Sequence, residues 1–393
     1  MNIDGLRAET PGCRERVHLN NAGSALMPEP VIRAVRDHIA LESRIGGYEA
    51  ADARADAAQA AYRSVAELIG ASAGNVAFTE SATASYMQAL SSVPFERGDV
   101  VLATRNDYVS NQLQFLSVAA RFGVGVVRAP DAPEGGVDAE AMADLIRRMR
   151  PRLVCVTHVP TNSGLVQPVA EVGRVCREQE ILYLVDACQS VGQMPVDVDD
   201  IGCDFLSATS RKFLRGPRGA GFLYVSDRVL AQGLAPLFID MRGAEWVAED
   251  RYRLVADAKR FETFEFAWAL VLATGEAARY ADALGLEAIR DRVRALAGRL
   301  RRQLAEIDGV RVLDRGAELC GIVSIALGGR NPHDLMLALR ERGINTNAQA
   351  RPTALMDYDA KGVEASLRLS PHYYNTDEEI GVVVAALRDL LGA

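Results

Sequence analysis

Lysine is scarce in this chain of 393 residues: Lys212, Lys259 and Lys361 are the only lysines among its 44 lysine and arginine residues. The remaining positive charge is carried by arginine, which stays protonated at any workable pH. The net charge is −8, and no basic cluster is interleaved with aromatic side chains, which argues against nucleic acid as a partner. No run of 18 apolar residues occurs, so the sequence predicts no membrane span.

The cysteines and histidines are also few and scattered. The six cysteines show no Cys-x-x-Cys spacing and the five histidines have no metal-ligand spacing, so we predict no metal site. Cys155 and Cys188 lie in or beside apolar, strand-like runs, which is typical of reduced thiols in a protein core. Residues 1–14 are polar and do not resemble a signal peptide. We therefore expect a cytoplasmic protein.

Short apolar runs alternate with helical periodicity from about residue 70 to residue 230. Seven of these runs are predicted to be strands, at residues 76–79, 100–104, 125–128, 153–158, 182–187, 205–209 and 221–225. Such alternation predicts an α/β fold with a mostly parallel, seven-stranded sheet that is covered by helices on both faces. Ligands in these sheets bind at the carboxyl ends of the strands.

Three segments are predicted along the chain. Residues 1–30 form an N-terminal arm that packs with the small domain, residues 31–265 form a large domain, and residues 266–393 form a smaller α+β domain. The arm reads as extended chain with a turn at residues 20–23. Helical periodicity then runs from residue 29 to about residue 69.

Lys212 is the most informative of the three lysines. An amine, unlike a guanidinium group, can lose its proton when it is buried and then attack a carbonyl carbon. The glycine-rich segment 216–221 follows it and allows backbone to pass close to a ligand. A solvated surface lysine is the commoner case. The alternative is a Schiff base with the aldehyde of pyridoxal 5'-phosphate (PLP).

Asp186 ends the apolar run 182–185, and a buried carboxylate is costly unless it is paired or hydrogen-bonded. It could cap a following helix. It could also pair with the protonated pyridine nitrogen of PLP, which would keep the ring an electron sink. Gln189, three residues later, could reach the hydroxyl group of the ring.

The segment 78–84 follows a strand and begins a helix, where free N–H groups and the helix dipole favour anions. Ser81 and Thr83 add hydroxyl groups, although Ser81 could equally be an ordinary N-cap. Thr209 and Arg211, which lie beside the lysine, could complete a phosphate site.

Three further residues are candidates for ligand contacts. Tyr108 follows a strand and could stack on a flat ring, or it could be a surface tyrosine. Asn162 also follows a strand and could face a ligand. Arg368 alternates with apolar residues in the strand predicted at 366–370, where a guanidinium group requires a carboxylate. That carboxylate could belong to an interdomain salt bridge or to an amino-acid substrate.

Taken together, residues 18–379 resemble the class V aminotransferase family of fold-type I PLP enzymes. This family includes cysteine desulfurases, isopenicillin N epimerase and hercynylcysteine sulfoxide lyases. The most specific shared element is the Asp-Ala-x-Gln motif at residues 186–189, followed by Lys212 and the Gly-Pro-x-Gly turn at residues 216–219. The resemblance implies a PLP cofactor and a homodimer with shared active sites, in which residues 260–263 reach the neighbouring site.

The resemblance also implies individual roles. Lys212 would be the catalytic residue that binds PLP covalently, and Asp186 the partner of the pyridine nitrogen. The remaining predicted cofactor contacts are Gln189 at the ring oxygen, Tyr108 on the ring where desulfurases place a histidine, and Ser81, Ala82, Thr83, Thr209 and Arg211 at the phosphate. The predicted substrate contacts are Asn21, Asn162 and Arg368.

Two departures from cysteine desulfurases bear on the reaction. Desulfurases carry a mobile cysteine that accepts sulfur as a persulfide, whereas the corresponding residues 345–353 contain none. Arg211 stands where many desulfurases have histidine. We therefore predict a carbon–sulfur lyase that eliminates sulfur from cysteine or an S-substituted cysteine. An aminotransferase or an epimerase is the alternative, because both share the steps up to the α-carbanion. The intact Lys212 and Asp186 argue against a non-enzymatic binding protein.

Overall fold

The computed structural model describes residues 1–392. Its strands are β1 (Val17–His18), β2 (Val76–Thr79), β3 (Val100–Ala103), β4 (Gly125–Arg128), β5 (Leu153–Thr157), β6 (Leu182–Asp186), β7 (Phe205–Thr209), β8 (Gly221–Val225), β9 (Ala244–Ala248), β10 (Arg251–Leu254), β11 (Val310–Val312), β12 (Val323–Leu327), β13 (Ile344–Asn345), β14 (Asn347–Ala350) and β15 (Ala365–Leu369). Its helices are α1 (Ile3–Ala8), α2 (Glu29–Ile45), α3 (Gly47–Ala53), α4 (Ala55–Leu68), α5 (Ala82–Ser92), α6 (Val109–Phe122), α7 (Ala139–Met149), α8 (Val169–Glu178), α9 (Val198–Ile201), α10 (Asp227–Ala231), α11 (Trp268–Leu284), α12 (Leu286–Ala305), α13 (Pro332–Glu341), α14 (Leu355–Lys361) and α15 (Asp377–Leu391). Short 3₁₀ helices cover Pro11–Arg14, Ala73–Asn75, Ala258–Phe261 and Arg351–Thr353.

The main sheet has seven strands in the order β2-β8-β7-β6-β5-β3-β4. Strand β8 runs antiparallel to β2 and β7, and every other pairing in the sheet is parallel. Alternate residues of a strand face opposite sides of the sheet. Accordingly, Val154 and Val156 of β5 pack in one apolar core, whereas Leu153 and Cys155 pack in the other. The predicted α/β fold with a mostly parallel, seven-stranded sheet is confirmed.

A second, four-stranded antiparallel sheet has the order β11-β12-β15-β14 and its own apolar core. Leu19 of the N-terminal arm is buried in this core, and β1 pairs with β13 in parallel. Residues 344–350 are divided into two strands, because β13 pairs with β1 while β14 pairs with β15. The arm therefore contacts the C-terminal part of the chain.

The helical stretch predicted from residue 29 to about residue 69 is divided into α2, α3 and α4. Gly46 ends α2 with a φ of 98°, a conformation that is open to glycine and costly for other residues. Arg54 interrupts the helix a second time. The arm, predicted to be extended, begins with α1, whose N-cap Asn2 accepts a hydrogen bond from Gly5 N.

Helix α11 packs against the large domain, although the boundary predicted at residue 266 assigns it to the small one. Val271 and Ala277 of this helix lie in the main core. A Cβ at Gly275 would lie 2.5 Å from Ala61 Cα of α4, so a glycine is required where the two helices touch. This packing favours a boundary near Gly285, between α11 and α12. No helix within residues 1–392 is both long and apolar enough to cross a membrane.

Candidate active site

The carboxyl ends of the main-sheet strands border a cavity of about 290 Å³. Its lining residues are Glu80, Ser81, Ala82, Thr83, Tyr108, Thr157, Val159, Thr161, Asp186, Cys188, Gln189, Thr209, Arg211, Lys212, Arg218 and Gly219. All nine residues predicted to bind the cofactor belong to this set. Residues distant in sequence meet here because the parallel strands end at the same edge of the sheet.

Lys212 follows β7, and only 8% of its surface is exposed. Burial lowers the pKa of its ammonium group, while the nearby Cys188 and Asp186 act in the opposite direction. The Nζ atom lies 5.9 Å from the centre of the Tyr108 ring. A buried lysine with a lowered pKa can supply the neutral amine that attack on an aldehyde requires.

Two hydrogen bonds hold the backbone of residues 212–215, the lysine segment. Arg215 N donates to Lys212 O at 2.9 Å, which closes a turn directly after the lysine. The ring of His372, in the C-terminal part of the chain, places Nε2 2.7 Å from Phe213 O. Burial holds the pKa of His372 well below its usual value, so the ring is neutral. The backbone at the lysine and directly after it is thereby constrained.

Arg215 is a buried cation in a cage of tyrosines. It is 1% exposed, and its guanidinium group donates to Tyr373 Oη and Thr10 Oγ1 at 2.6 Å and to Leu26 O at 2.8 Å. Its Cζ lies 4.5 Å and 5.0 Å from the ring centres of Tyr374 and Tyr373, which is cation–π range. These contacts join the lysine segment to the arm and to the C-terminal domain.

Asp186 ends β6 and is 4% exposed. Its Oδ1 accepts from Cys188 N at 2.9 Å, so it caps a turn and not the following helix that one interpretation of the sequence expected. Its Oδ2 accepts from Asn111 Nδ2 at 3.0 Å. Within residues 1–392 the carboxylate has only neutral hydrogen-bond donors and no ion-pair partner. It is therefore suited to a protonated ring nitrogen in the cavity.

Gln189 leaves one polar atom free to contact a ligand. Its Nε2 donates to Thr161 Oγ1 at 3.0 Å and to Ala22 O at 3.1 Å. Its Oε1 is buried and accepts no hydrogen bond from the described part of the chain. Leaving a buried acceptor unpaired costs about 1–3 kcal/mol, so a ligand donor at this atom would be stabilising.

The N-terminus of helix α5 lies at the cavity, and its free N–H groups are suited to an anion. Ser81 is its N-cap and accepts from Ala84 N at 3.1 Å. The N–H groups of Ala82 and Thr83 lie in the first turn, where no intrahelical acceptor exists. A Cβ at Gly221 would lie 2.7 Å from Ala82 N, so the glycine lets β8 pass directly beneath this helix end. The donors fit a phosphate group.

Arg368 is a buried guanidinium group without an acidic partner. It is 3% exposed, and its Nη1 donates to Thr161 Oγ1 at 2.7 Å while its Nη2 donates to Asn20 Oδ1 at 3.2 Å. The interdomain salt bridge that the sequence left open is absent from residues 1–392. Burial lowers the pKa of Arg368 to about 10, so it remains charged at neutral pH.

None of the three predicted substrate contacts, Asn21, Asn162 and Arg368, belongs to the lining of the cavity. Asn21 Oδ1 accepts from the Tyr374 hydroxyl group, and Asn162 Nδ2 donates to Asp357 Oδ2 at 2.6 Å. The residues immediately before them in the sequence are the ones that contact Arg368. In each segment the residue that faces Arg368 is therefore the one before the predicted side chain, which points elsewhere.

Within the segment 260–263, Arg260 and Glu262 are packed within their own chain, whereas Thr263 is exposed. Arg260 is 5% exposed and donates to Val255 O and Leu230 O, both at 3.2 Å. Glu262 is 2% exposed and accepts from the Tyr62 hydroxyl group at 2.6 Å. Both side chains therefore stabilise the subunit to which they belong.

No thiol nucleophile is placed in the segment where desulfurases carry one. Residues 347–353 form β14 and a 3₁₀ helix, and none of them is cysteine. Cys188 is the thiol that lines the cavity, but burial and then Asp186 raise its pKa, so it is protonated at neutral pH. Cys320 is fully buried and lies outside the lining.

Comparisons with known proteins agree with this geometry. A sequence model of the family described as Aminotransferase class-V matches residues 17–383. A probable cysteine desulfurase of Methanothermobacter thermautotrophicus is 31% identical over 100% of this chain and 99% of its own length. The apo cysteine desulfurase of Thermococcus onnurineus NA1 superimposes with a TM-score of 0.91 at 26% identity, over 99% of this chain and 98% of the other. The Escherichia coli cysteine desulfurase CsdA gives 0.89 at 22% identity, over 100% and 99%.

Proposed function

This chain belongs to the class V aminotransferase family of PLP enzymes, and on that premise we propose that it is a carbon–sulfur lyase acting on cysteine or an S-substituted cysteine. The bound PLP supplies an electron sink that stabilises negative charge on the α-carbon of the substrate. One observation carries the proposal. The cavity contains a buried lysine and a buried acid, its lining residue Thr161 is bonded to Arg368, which has no acidic partner in residues 1–392, and its only thiol is protonated.

The cavity residues would hold the cofactor by complementary chemistry. Asp186 would keep a proton on the pyridine nitrogen, and Gln189 would contact the ring oxygen. Tyr108 would cover one face of the ring. The phosphate would accept hydrogen bonds at the N-terminal end of α5 from Ala82 and Thr83, with Thr209 and Arg211 completing the contacts.

Lys212 and Arg368 would act on the substrate. Arg368 binds the α-carboxylate, because that group would neutralise a buried cation which has no acidic partner in the described chain. The Lys212 amine then removes the α-proton as a general base, for which its lowered pKa is favourable. Loss of sulfur from the β-carbon follows. For cysteine the balanced reaction consumes one water and yields pyruvate, ammonia and hydrogen sulfide.

The sulfur would leave without a protein persulfide. A persulfide requires a thiolate that attacks the sulfur atom of the substrate. Residues 345–353 provide no thiol, and the thiol of Cys188 holds its proton. The sulfur atom is therefore expected to depart with its own substituent: as sulfide from cysteine, as a thiol from an S-alkylcysteine, as a low-molecular-weight persulfide from cystine and as a sulfenic acid from an S-alkylcysteine sulfoxide.

We further propose that the chain acts as a homodimer with shared active sites. The segment 237–252, which includes the β9–β10 hairpin, exposes several large apolar side chains: Leu237 62%, Phe238 85%, Met241 68%, Trp246 78% and Tyr252 59%. Such a concentration of exposed apolar side chains is typical of an interface. A two-stranded hairpin is also marginal in stability unless it packs against a partner.

The lyase proposal is tested by product analysis. Purified, PLP-loaded protein is incubated with cysteine, cystine and an S-alkylcysteine sulfoxide, and we expect pyruvate and ammonia in equal amounts. The Lys212→Ala protein serves as the control and should form neither product. Alanine formed with an added thiol would indicate a desulfurase instead. Accumulation of pyridoxamine phosphate would indicate an aminotransferase, and a racemised substrate an epimerase.

A further inference from the structure

A second buried carboxylate lies behind Asp186. Asp107 is 4% exposed and directly precedes Tyr108 at the cavity. Its Oδ1 accepts from Tyr108 N at 2.6 Å, from Asn111 Nδ2 at 3.0 Å and from the Thr157 hydroxyl group. All of these donors are neutral, so no cation of the described chain compensates the charge of Asp107 directly.

Asn111 connects the two carboxylates. Its Nδ2 lies 3.0 Å from Asp107 Oδ1 and 3.0 Å from Asp186 Oδ2. A side-chain amide carries two N–H donors, and this one directs one towards each carboxylate. The amide is therefore held in its orientation by both acids together. Asn111 is 2% exposed, so water cannot readily replace either acceptor.

The surroundings of Asp107 set its charge. Burial raises its pKa to about 6, the charge of Asp186 acts in the same direction, and the neutral donors oppose both. The other titratable groups that face it are Tyr86 of α5 and Cys155 of β5, and burial raises the pKa of each. Asp107 is therefore the group of this cluster that changes charge just below neutral pH.

We propose that Asp107 is a positioning residue for the cofactor site, which orients Asp186 through Asn111 and orients Tyr108 through its backbone N–H. The two groups that would contact the PLP ring from different directions are thus held by one carboxylate. Loss of its negative charge weakens the hydrogen bonds to its Oδ1, so that the Asn111 amide can turn away from Asp186. The proposal rests on the proposed function only through the cofactor, since it concerns binding and not the reaction.

The test measures PLP affinity of the apo-protein by equilibrium dialysis without substrate. At pH 8 we expect Asp107→Asn to weaken PLP binding by about 10- to 100-fold, by analogy with the loss of a residue that orients a metal ligand. Asn111→Leu should weaken PLP binding by a similar factor. The double variant should bind PLP no less tightly than the single variant with the lower affinity. Asp204→Asn is the control, because Asp204 is a buried acid that pairs with Arg228 away from the cavity.

The pH dependence separates positioning from a general loss of stability. Below about pH 6 Asp107 is protonated in the wild-type protein, so the ratio of the Asp107→Asn and wild-type dissociation constants should approach one. The titration of the PLP phosphate affects both proteins and cancels in this ratio. The Thr157 hydroxyl group donates to Asp107 and lowers its pKa, so Thr157→Val should raise that pKa. As the pH falls, the PLP affinity of Thr157→Val should therefore begin to weaken at a higher pH than that of the wild-type protein.

Three results would overturn the proposal: affinity within twofold of wild type for Asp107→Asn at pH 8, additive losses in the double variant, or a ratio that does not change with pH. If Asp107→Asn does not fold, as judged by circular dichroism, Asn111→Leu and Thr157→Val provide the same decision. Failure of wild-type protein to bind PLP would refute the proposed function instead.

Discussion

Replacing Asp186 by alanine is expected to lower kcat by roughly 10²–10⁴-fold while PLP, supplied in excess, still binds through Lys212. Removing one member of a buried charge pair costs about 3–5 kcal/mol. Every 1.36 kcal/mol of lost transition-state stabilisation lowers a rate about tenfold. The phosphate contacts at α5 and the lysine do not depend on this carboxylate, so binding should persist. Turnover and bound PLP are measured on the same preparation.

Two variants serve as controls for this experiment. Asp186→Asn keeps the size of the side chain and removes its charge, so it should resemble the alanine variant. Asp204→Asn alters another buried acid of the large domain, one that is bonded to Arg228, and should leave kcat unchanged. Near-wild-type kcat in Asp186→Ala would mean that another group protonates the ring.

Replacing Arg368 by alanine is expected to raise the KM for the amino acid at least 30-fold. Truncating one partner of a desolvated charge pair costs about 2–5 kcal/mol, and 1.4 kcal/mol corresponds to a tenfold change in affinity. The visible absorption of bound PLP should not change, because Arg368 contacts Thr161 and Asn20 and not the lysine segment. Steady-state kinetics and absorption spectra of the PLP-loaded variant provide both readouts.

A lysine at this position tests the geometry of the contact. Arg368→Lys retains the charge but loses the planar fork of donors, so its KM should lie between those of wild type and Arg368→Ala. Arg301→Ala is the control for damage to the C-terminal domain, because Arg301 is paired with Asp314 at 2.8 Å. An unchanged KM in Arg368→Ala would assign Arg368 a structural role only.

The fold was largely predictable because burial leaves a strong pattern in the sequence. Strands β5 to β8 are buried at every position and appear as continuous apolar runs between helical periodicities. The breaks at Gly46 and Arg54 were missed because apolar periodicity continues across them. The assignment of α11 depends on its contact with α4, which no local pattern reveals.

The candidate site was predictable where chemistry requires a rare residue in a specific setting. Lys212 and Asp186 stood out because a lone lysine and an acid that ends an apolar strand are unusual. The contacts of Arg368 with Asn20 and Thr161 were not predicted, because which of two adjacent side chains faces it depends on local backbone direction. Arg215 was missed since nothing in its neighbourhood distinguishes a caged, buried arginine from the many exposed ones.

Covalent attachment of the cofactor to Lys212 is tested most directly by borohydride reduction of the PLP-loaded protein followed by peptide mapping. We expect the label on Lys212 alone and no label in Lys212→Ala. Lys259 packs over Tyr62 and Lys361 is bonded to Asp357 at 2.7 Å, and neither lines the cavity. A label on Lys259 or Lys361, or no label on the wild-type protein, would contradict this attachment and the function proposed from it.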